Sequence, residues 1–288
     1  MLLAFSKYHG LGNDFAFVDA RELDITFPGR LSQKLCDRYR GVGADGVLVW
    51  TGTLHEPEMT VVNADGGIAH MSGNALRCFV KHVLDRHLPQ QNMLDVQTGI
   101  GAMHCVATRD QNGSVVTVTV RMGNVRTPPV VIPVALALAE PDAPVQLRER
   151  AVTLTALQLD DPHVVTFDPL GEAERAAIAP LLEHHPALPE PANVAFAQLL
   201  PGGPPRMQVD VYARGAGWTT GSGTGALAAA IVAVESGRMP RDREIAVKLK
   251  GGWVSVKVGD DNGATMRGPA VHVYDGEIHI PRLLAGEA

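Results

Sequence analysis

One pattern occurs twice in this chain of 288 residues, and the copies lie 150 positions apart. The later copy is Thr219-Thr220-Gly221-Ser222-Gly223-Thr224-Gly225-Ala226, followed by Leu227-Ala228-Ala229-Ala230-Ile231-Val232 and preceded by the strand-like Met207–Tyr212. The earlier copy is Met71-Ser72-Gly73-Asn74-Ala75-Leu76-Arg77, preceded by the strand-like Met59–Asn63. Superposing Ser72 on Ser222 aligns the two without a gap. Each runs into an apolar helix, the first carrying Leu76, Phe79, Val80, Val83 and Leu84 at helical spacing. Glycines permit a sharp turn and close approach of a ligand. The helix behind them presents free N–H groups and a positive dipole end, a ready site for a carboxylate or phosphate. A single such turn is also a common packing device. Its duplication points to two similar lobes whose helix N-termini face one cleft, holding one carboxylate between Ser72 and Ser222. That arrangement suits chemistry on both faces of a single carbon.

The remaining composition narrows the partners. The formal charge of −6 does not favour phosphate-backbone binding, and 5% aromatic residues offer little for base stacking. No apolar run reaches the roughly 18 residues of a membrane span. The N-terminus lacks the basic start and long apolar core of a signal peptide. Cys36, Cys78 and Cys105 stand at unrelated spacings and form neither a disulfide framework nor a zinc cluster. The expectation is a cytoplasmic protein that binds a small molecule, with no nucleic acid, no membrane and no metal.

Along the chain, Leu2–Lys7 and Phe15–Asp19 read as strands around a turn, Tyr8–Asp14, that carries His9, Asn13 and Asp14. These three suit ligand contact or plain turn stabilisation. A helix is expected over Leu31–Arg38. The glycine run Gly41–Gly46 lacks the Lys and Ser/Thr of a phosphate loop and reads as structural, or as a wall of the cleft. Strands follow near Leu94–Gln97, Met103–Thr108 and Val115–Met122. The proline-rich Arg126–Val145 reads as the crossing between lobes, which places a first lobe at 1–122 and a second at 123–273. The second lobe opens with a strand, Ala151–Gln158, then Asp160-Asp161-Pro162-His163, a helix near Ala173–Glu183, and Ala192-Asn193. Strands around Glu244–Val258 and the run Met266–Ile278 close it.

Several of these segments together resemble the diaminopimelate epimerase family. They are Phe5–Phe15, Asn63-Ala64-Asp65-Gly66, Ser72–Cys78, Asp161-Pro162-His163, Ala192-Asn193, Arg214-Gly215-Ala216-Gly217, Ser222-Gly223-Thr224-Gly225 and Gly268–Gly276. They run in order through nearly the whole chain. The resemblance implies an α/β (α+β) fold of two pseudo-symmetric lobes, each a mixed sheet wrapped around a central helix. The first lobe would be completed by the C-terminal strand at about 274–288, with the cleft between lobes. It implies isomerase chemistry, racemisation or epimerisation of an amino acid without pyridoxal phosphate or any other cofactor, and is compatible with a homodimer. One group removes the α-proton while another donates to the opposite face. The amides of Gly73, Asn74, Gly223 and Thr224 would stabilise the charge developing on the carboxylate. His163 matches the family histidine that assists the residue at position 72. Asn13 joins the substrate-binding set, while Asn63, Asn193 and Arg214 match residues that hold the substrate's far carboxylate.

The chain departs from the family where the chemistry lies. Cysteines are expected at Ser72 and Ser222. A thiol, with a free pKa of roughly 8.5, becomes a thiolate base far more readily than a serine hydroxyl becomes an alkoxide. Family acids are replaced by Ala213 and Trp218, a family asparagine by Asp161, and a glutamine by Gly46. Three accounts compete: an engineered double variant, a natural relative with altered chemistry, or a relative that binds without turnover. The altered partners for the far ammonium suggest an amino acid with a polar, uncharged distal group, with diaminopimelate second.

Overall fold

The computed structural model describes residues 2–22, 29–69, 71–124, 129–140, 143–159, 161–260 and 263–279. The chain divides into two compact units: Met1–Arg121 with Arg267–Ala288, and Met122–Met266.

The first unit contains β1 (Leu2–Gly10), β2 (Asn13–Asp19), α1 (Gly29–Cys36), β3 (Gly46–Gly52), β4 (Pro57–Asn63), β5 (Ile68–Ala69), α2 (Gly73–Arg86), β6 (Met93–Thr98), β7 (Gly101–Arg109) and β8 (Val115–Asn124). β1 and β2 are antiparallel, β2 and β3 parallel, β3 and β4 antiparallel. β4 turns back into β5 and pairs in parallel with β6, and β6, β7 and β8 continue antiparallel. Both faces of β2 and β3 are covered, so their apolar residues run almost unbroken. Ala16, Val18, Val47 and Val49 pack with Leu31 and Leu35 of α1. Phe17 and Trp50, pointing the other way, meet Phe79 of α2.

The second unit contains β9 (Val130–Glu140), β10 (Ala143–Gln158), β11 (Pro162–Thr166), α3 (Glu172–Glu183), β12 (Asn193–Leu199), β13 (Arg206–Ala213), β14 (Gly217–Thr219), α4 (Gly223–Glu235), β15 (Glu244–Leu249), β16 (Gly252–Val258) and β17 (Gly263–Pro269). Its pairing repeats that of the first unit. β10 and β11 are antiparallel, β11 and β12 parallel, β12 and β13 antiparallel. β13 turns back into β14, pairs in parallel with β15, and β15 is antiparallel to β16. Val152, Leu154, Val164 and Val194 pack on Ile178 and Leu182 of α3, while α4 packs on β11, β12, β13, β15 and β16. Each unit is thus a mixed sheet with a central helix.

The repeat holds residue by residue around the turns. Val62 opposes Ile68 as Tyr212 opposes Trp218. Gly66 N–H donates to Asn63 O at 2.9 Å, and Ala216 N–H to Ala213 O at 3.0 Å. Every one of these positions is displaced by 150.

Two expectations need correction. β1 and β2 meet in a two-residue turn, Leu11 (φ 58°) and Gly12 (φ 83°), the doubly positive form that matches the strand twist. His9, Asn13 and Asp14 therefore lie on the ladder, with His9 opposite Asp14 and Gly10 opposite Asn13. The stretch 126–145, read as a crossing, supplies all of β9 and the first residues of β10, which form a long antiparallel hairpin that places Pro133 opposite Thr153. Proline removes one ladder donor without preventing an otherwise apolar run from pairing; Pro128 and Pro141 lie outside the described residues. The closing strand β18 spans Val271–His279 and pairs antiparallel with β1, and residues 280–288 lie outside the described set. Among the described residues, no helix is long and apolar enough to cross a membrane.

Candidate functional site

In the first unit β5 delivers the chain to α2 through Ser72. Ser72 is the N-cap, extended at φ −141°, ψ 121°, and its Oγ accepts from the Ala75 N–H at 3.3 Å. The cap satisfies one first-turn amide and leaves the others directed out of the helix end. Behind them lies a polar network. Asn74 Nδ2 donates to Asn13 Oδ1 at 3.1 Å, and Asn13 Nδ2 donates to Asp45 Oδ2 at 2.7 Å. Arg38 bridges Asp45 and Asp14 at 2.7 and 2.8 Å, and Lys7 reaches Asp14 at 2.7 Å. Burial alone would raise the Asp14 pKa, but hydrogen bonds from Arg38 and Lys7 outweigh it and hold the carboxyl at about 2. Asn63 ends β4 with its side chain exposed.

Asp45, Lys7, Arg38 and Arg77 belong to this network, and sequence reasoning did not single them out. Asp45 had a readable signal: an acid inside a glycine run is free to reach a neighbouring turn.

In the second unit Ser222 is the N-cap of α4, extended at φ −87°, ψ 107°, with Oγ accepting from the Gly225 N–H at 3.0 Å. The glycines here answer to packing. A Cβ on Gly225 would stand 2.7 Å from Val211 Cγ2, and one on Gly223 2.9 Å from Met266 Cε. His163 is the second residue of β11, opposite Leu157 on one side and Asn193 on the other. It is 1% exposed, and among the described residues neither ring nitrogen has a hydrogen-bond partner. Burial, with a smaller contribution from the Arg214 charge, pushes its pKa down to about 4, so it is neutral near pH 7. Asn193 donates to Pro162 O at 3.3 Å and accepts the Arg214 N–H at 3.0 Å. The Arg214 guanidinium meets Asp161 at 2.6 Å and Glu190 at 3.5 Å. Trp218 stands against Tyr212 and Phe196, with ring centroids 5.4 and 5.7 Å apart.

Asn13 and Asn74 are thus brought into contact in the first unit. Asp161, His163, Asn193 and Arg214 are neighbours in the second, with Thr224 half-buried on the capped turn. Ser72 and Gly73 belong to the first unit, Ser222 and Gly223 to the second. Among the described residues, no group of three or more His, Cys, Asp or Glu could hold a metal ion.

The sequence profile of the diaminopimelate epimerase family matches residues 5–128 and 157–273. The diaminopimelate epimerase of Synechococcus elongatus is 35% identical over 287 residues, covering 97% of this chain and 99% of that protein. The chain belongs to the diaminopimelate epimerase family. Solved structures with the same fold extend further. A probable proline racemase from Agrobacterium radiobacter, with bound carbonate, superposes with a TM-score of 0.67 at 14% identity, over 96% of this chain and 93% of that one. A phenazine biosynthesis protein from Bacillus anthracis gives 0.66 at 14% identity, over 97% and 99%. This family member therefore carries the family fold with serine at both N-caps.

Proposed function

We propose that the chain racemises or epimerises an amino acid at its α-carbon, without pyridoxal phosphate, by two-base proton transfer. One serine, as the alkoxide left once its hydroxyl proton has gone to solvent, takes the α-proton as the C–H bond breaks, and the electron pair moves onto the substrate carboxylate. The other hydroxyl gives a proton to the opposite face, re-forming the bond with inverted configuration. Amides of Gly73, Asn74, Gly223 and Thr224 are the proposed donors to the carboxylate, where preorganised N–H groups act most strongly. The observation that carries this reading is the shared cap: Ser72 and Ser222, displaced by 150 residues, make the same hydrogen bond to the amide three residues on. Two helix ends of one design, in a family named for an epimerase, are what chemistry on two faces of one carbon requires.

The proposed substrate has a polar, uncharged distal group, with diaminopimelate second. Asn63, Asn193 and Arg214 are assigned to that distal end. Arg214 already meets Asp161 at 2.6 Å, and positions 213 and 218 hold Ala and Trp instead of acids. A partly neutralised guanidinium favours a carbonyl or amide over a second full carboxylate. Incubating the protein with a panel of amino acids in deuterated water and following loss of the α-proton signal tests the reading. Exchange with glutamine-like side chains ahead of diaminopimelate is the expected result. Exchange with none overturns racemisation.

A second reading, an amino-acid-binding relative without turnover, has one observation in its favour. Among the described residues neither serine hydroxyl is hydrogen-bonded to a base, and His163 has no partner at either nitrogen. Saturable binding of an amino acid without any exchange would establish it.

A further inference from the structure

Arg77 is a cation in a place where cations are rarely left alone. It is 0% exposed, in the interior of α2, and among the described residues no carboxylate pairs with it. Among the described residues its partners are neutral: Nη2 donates to the Asn74 side-chain oxygen, Nε donates to Pro269 O at 3.2 Å, and Nη1 has none. Burial lowers its pKa to about 10, which leaves it protonated at neutral pH. An unpaired buried charge is strongly destabilising, and proteins keep one where something else supplies the opposite sign.

Position explains what that is. Arg77 lies one turn into the helix, about 6 Å along the axis from Gly73, and helix side chains lean toward the N-terminus. Its guanidinium accordingly reaches back three residues to Asn74, which in turn holds Asn13. Gly10 leaves room for it: a Cβ there would sit 3.2 Å from Asn74 Cβ and 3.3 Å from Arg77 Nη2. In the second unit the corresponding residue, 150 positions on, is Leu227, so the charge is peculiar to α2.

We propose that Arg77 is a positioning residue for the substrate carboxylate. It locks Asn74 in the turn, and it supplies a fixed positive charge behind the α2 N-terminus that the bound anion neutralises. This rests on the reading that the Ser72-Gly73-Asn74 turn receives a carboxylate. It predicts an unusual pairing of effects. Removing the charge relieves the empty protein and weakens the bound one.

The test uses formate as a minimal carboxylate, reading the thermal unfolding midpoint against formate concentration with chloride keeping ionic strength constant. Parent protein should be stabilised by formate. Arg77→Met should unfold no earlier than parent without formate and need at least tenfold more formate for the same stabilisation. Arg77→Lys should stay within threefold of parent. Should Arg77→Met fail to fold, Asn74→Asp builds in an internal counter-charge and should raise the formate-free midpoint while abolishing the response. Parent-like responses in Arg77→Met or Asn74→Asp, loss of response in a folded Arg77→Lys, or no response in parent would each overturn the proposal. The deuterium-exchange panel on parent protein separates the two claims. Exchange by a parent indifferent to formate removes Arg77 alone. A formate response lost in Arg77→Met, with no exchange by parent, removes racemisation alone.

Discussion

The two helix N-termini share a backbone and almost nothing behind it. Ser72 and Ser222 cap in the same way, Leu76 N–H returns to Ser72 O at 2.9 Å, and Ala226 N–H returns to Ser222 O at 3.1 Å. Beyond the first turn the helices part. α2 buries Arg77, Lys81 and His82. Lys81 reaches Asp85 at 2.8 Å and Ser114 at 3.1 Å, and His82 stacks on Phe17 at 3.7 Å with Tyr8 Oη 3.1 Å from its Nδ1. α4 buries only Gly, Ala, Leu, Ile and Val. The part held in common is the part that presents N–H donors. The rest follows whatever sheet each helix packs against. In the repeat Asn74 corresponds to Thr224, Ala75 to Gly225 and Asn63 to Ala213, so the proposed anion-binding turn recurs in two different electrostatic settings.

The largest expected effect tests whether the shared cap is catalytic. Ser72→Cys with Ser222→Cys should raise α-proton exchange by roughly 10²–10⁴-fold, the range for a competent acid–base group, because thiols ionise far more readily than alcohols. Exchange rates in deuterated water decide it, and a double variant no faster than parent breaks the idea that both caps act on one carbon.

Next come the buried histidines, one in each unit. Burial, then the Arg214 charge, pushes His163 down to about 4, and burial, then the Arg86 charge, pushes His82 down to about 3. The folded protein holds these protons less tightly than the unfolded chain, whose histidines titrate near 6.5. Stability is therefore full above pH 6.5 and falls as pH drops toward 4, with His163 alone contributing on the order of 3 kcal/mol. Urea unfolding between pH 7 and 4 should show the decline, and His163→Leu should flatten part of it. A slope unchanged by that substitution would mean His163 is not held neutral by burial.

Smaller effects sharpen the contrast at one equivalent pair. Gly225→Ala should destabilise by about 1–3 kcal/mol through collision with Val211. Ala75→Gly in the first unit should cost about 1 kcal/mol, by lost helix propensity. Equal tolerance of alanine at both positions, in denaturant titrations, would show that the two first turns pack alike. Smallest of all, Ser72→Ala and Ser222→Ala should each cost about 1 kcal/mol. A clear inequality between them would mean that one cap is shaped for something other than holding its helix.

The duplication was legible because it rests on local chemistry. Serine caps, glycines that let a turn close, and apolar residues at helical spacing leave a linear trace, as do the strands that alternate or run apolar. Ser72, Ser222 and their following residues could be placed on helix ends from that trace alone. The hairpin at Leu11-Gly12 was harder, since nothing local announces that both residues take positive φ until β1 and β2 are paired. The same holds for β9, where Pro133 reads as punctuation because the partner strand that accommodates it is not visible in the sequence.

What the sequence by itself determined was the repeat and the helix ends behind its two turns, and the resemblance added the departures at positions 72, 213, 218 and 222. What only the tertiary structure decided was the company each residue keeps. Asp45 lies 32 positions from Asn13 yet holds its amide, Asp161 meets Arg214 across 53 positions, and Arg77 finds a carbonyl 192 positions away. Capping and periodicity are set by neighbours within four residues and are written in order along the chain. Charge compensation depends on which distant groups a fold brings within a few ångströms, and that is settled only when the sheets close around their helices.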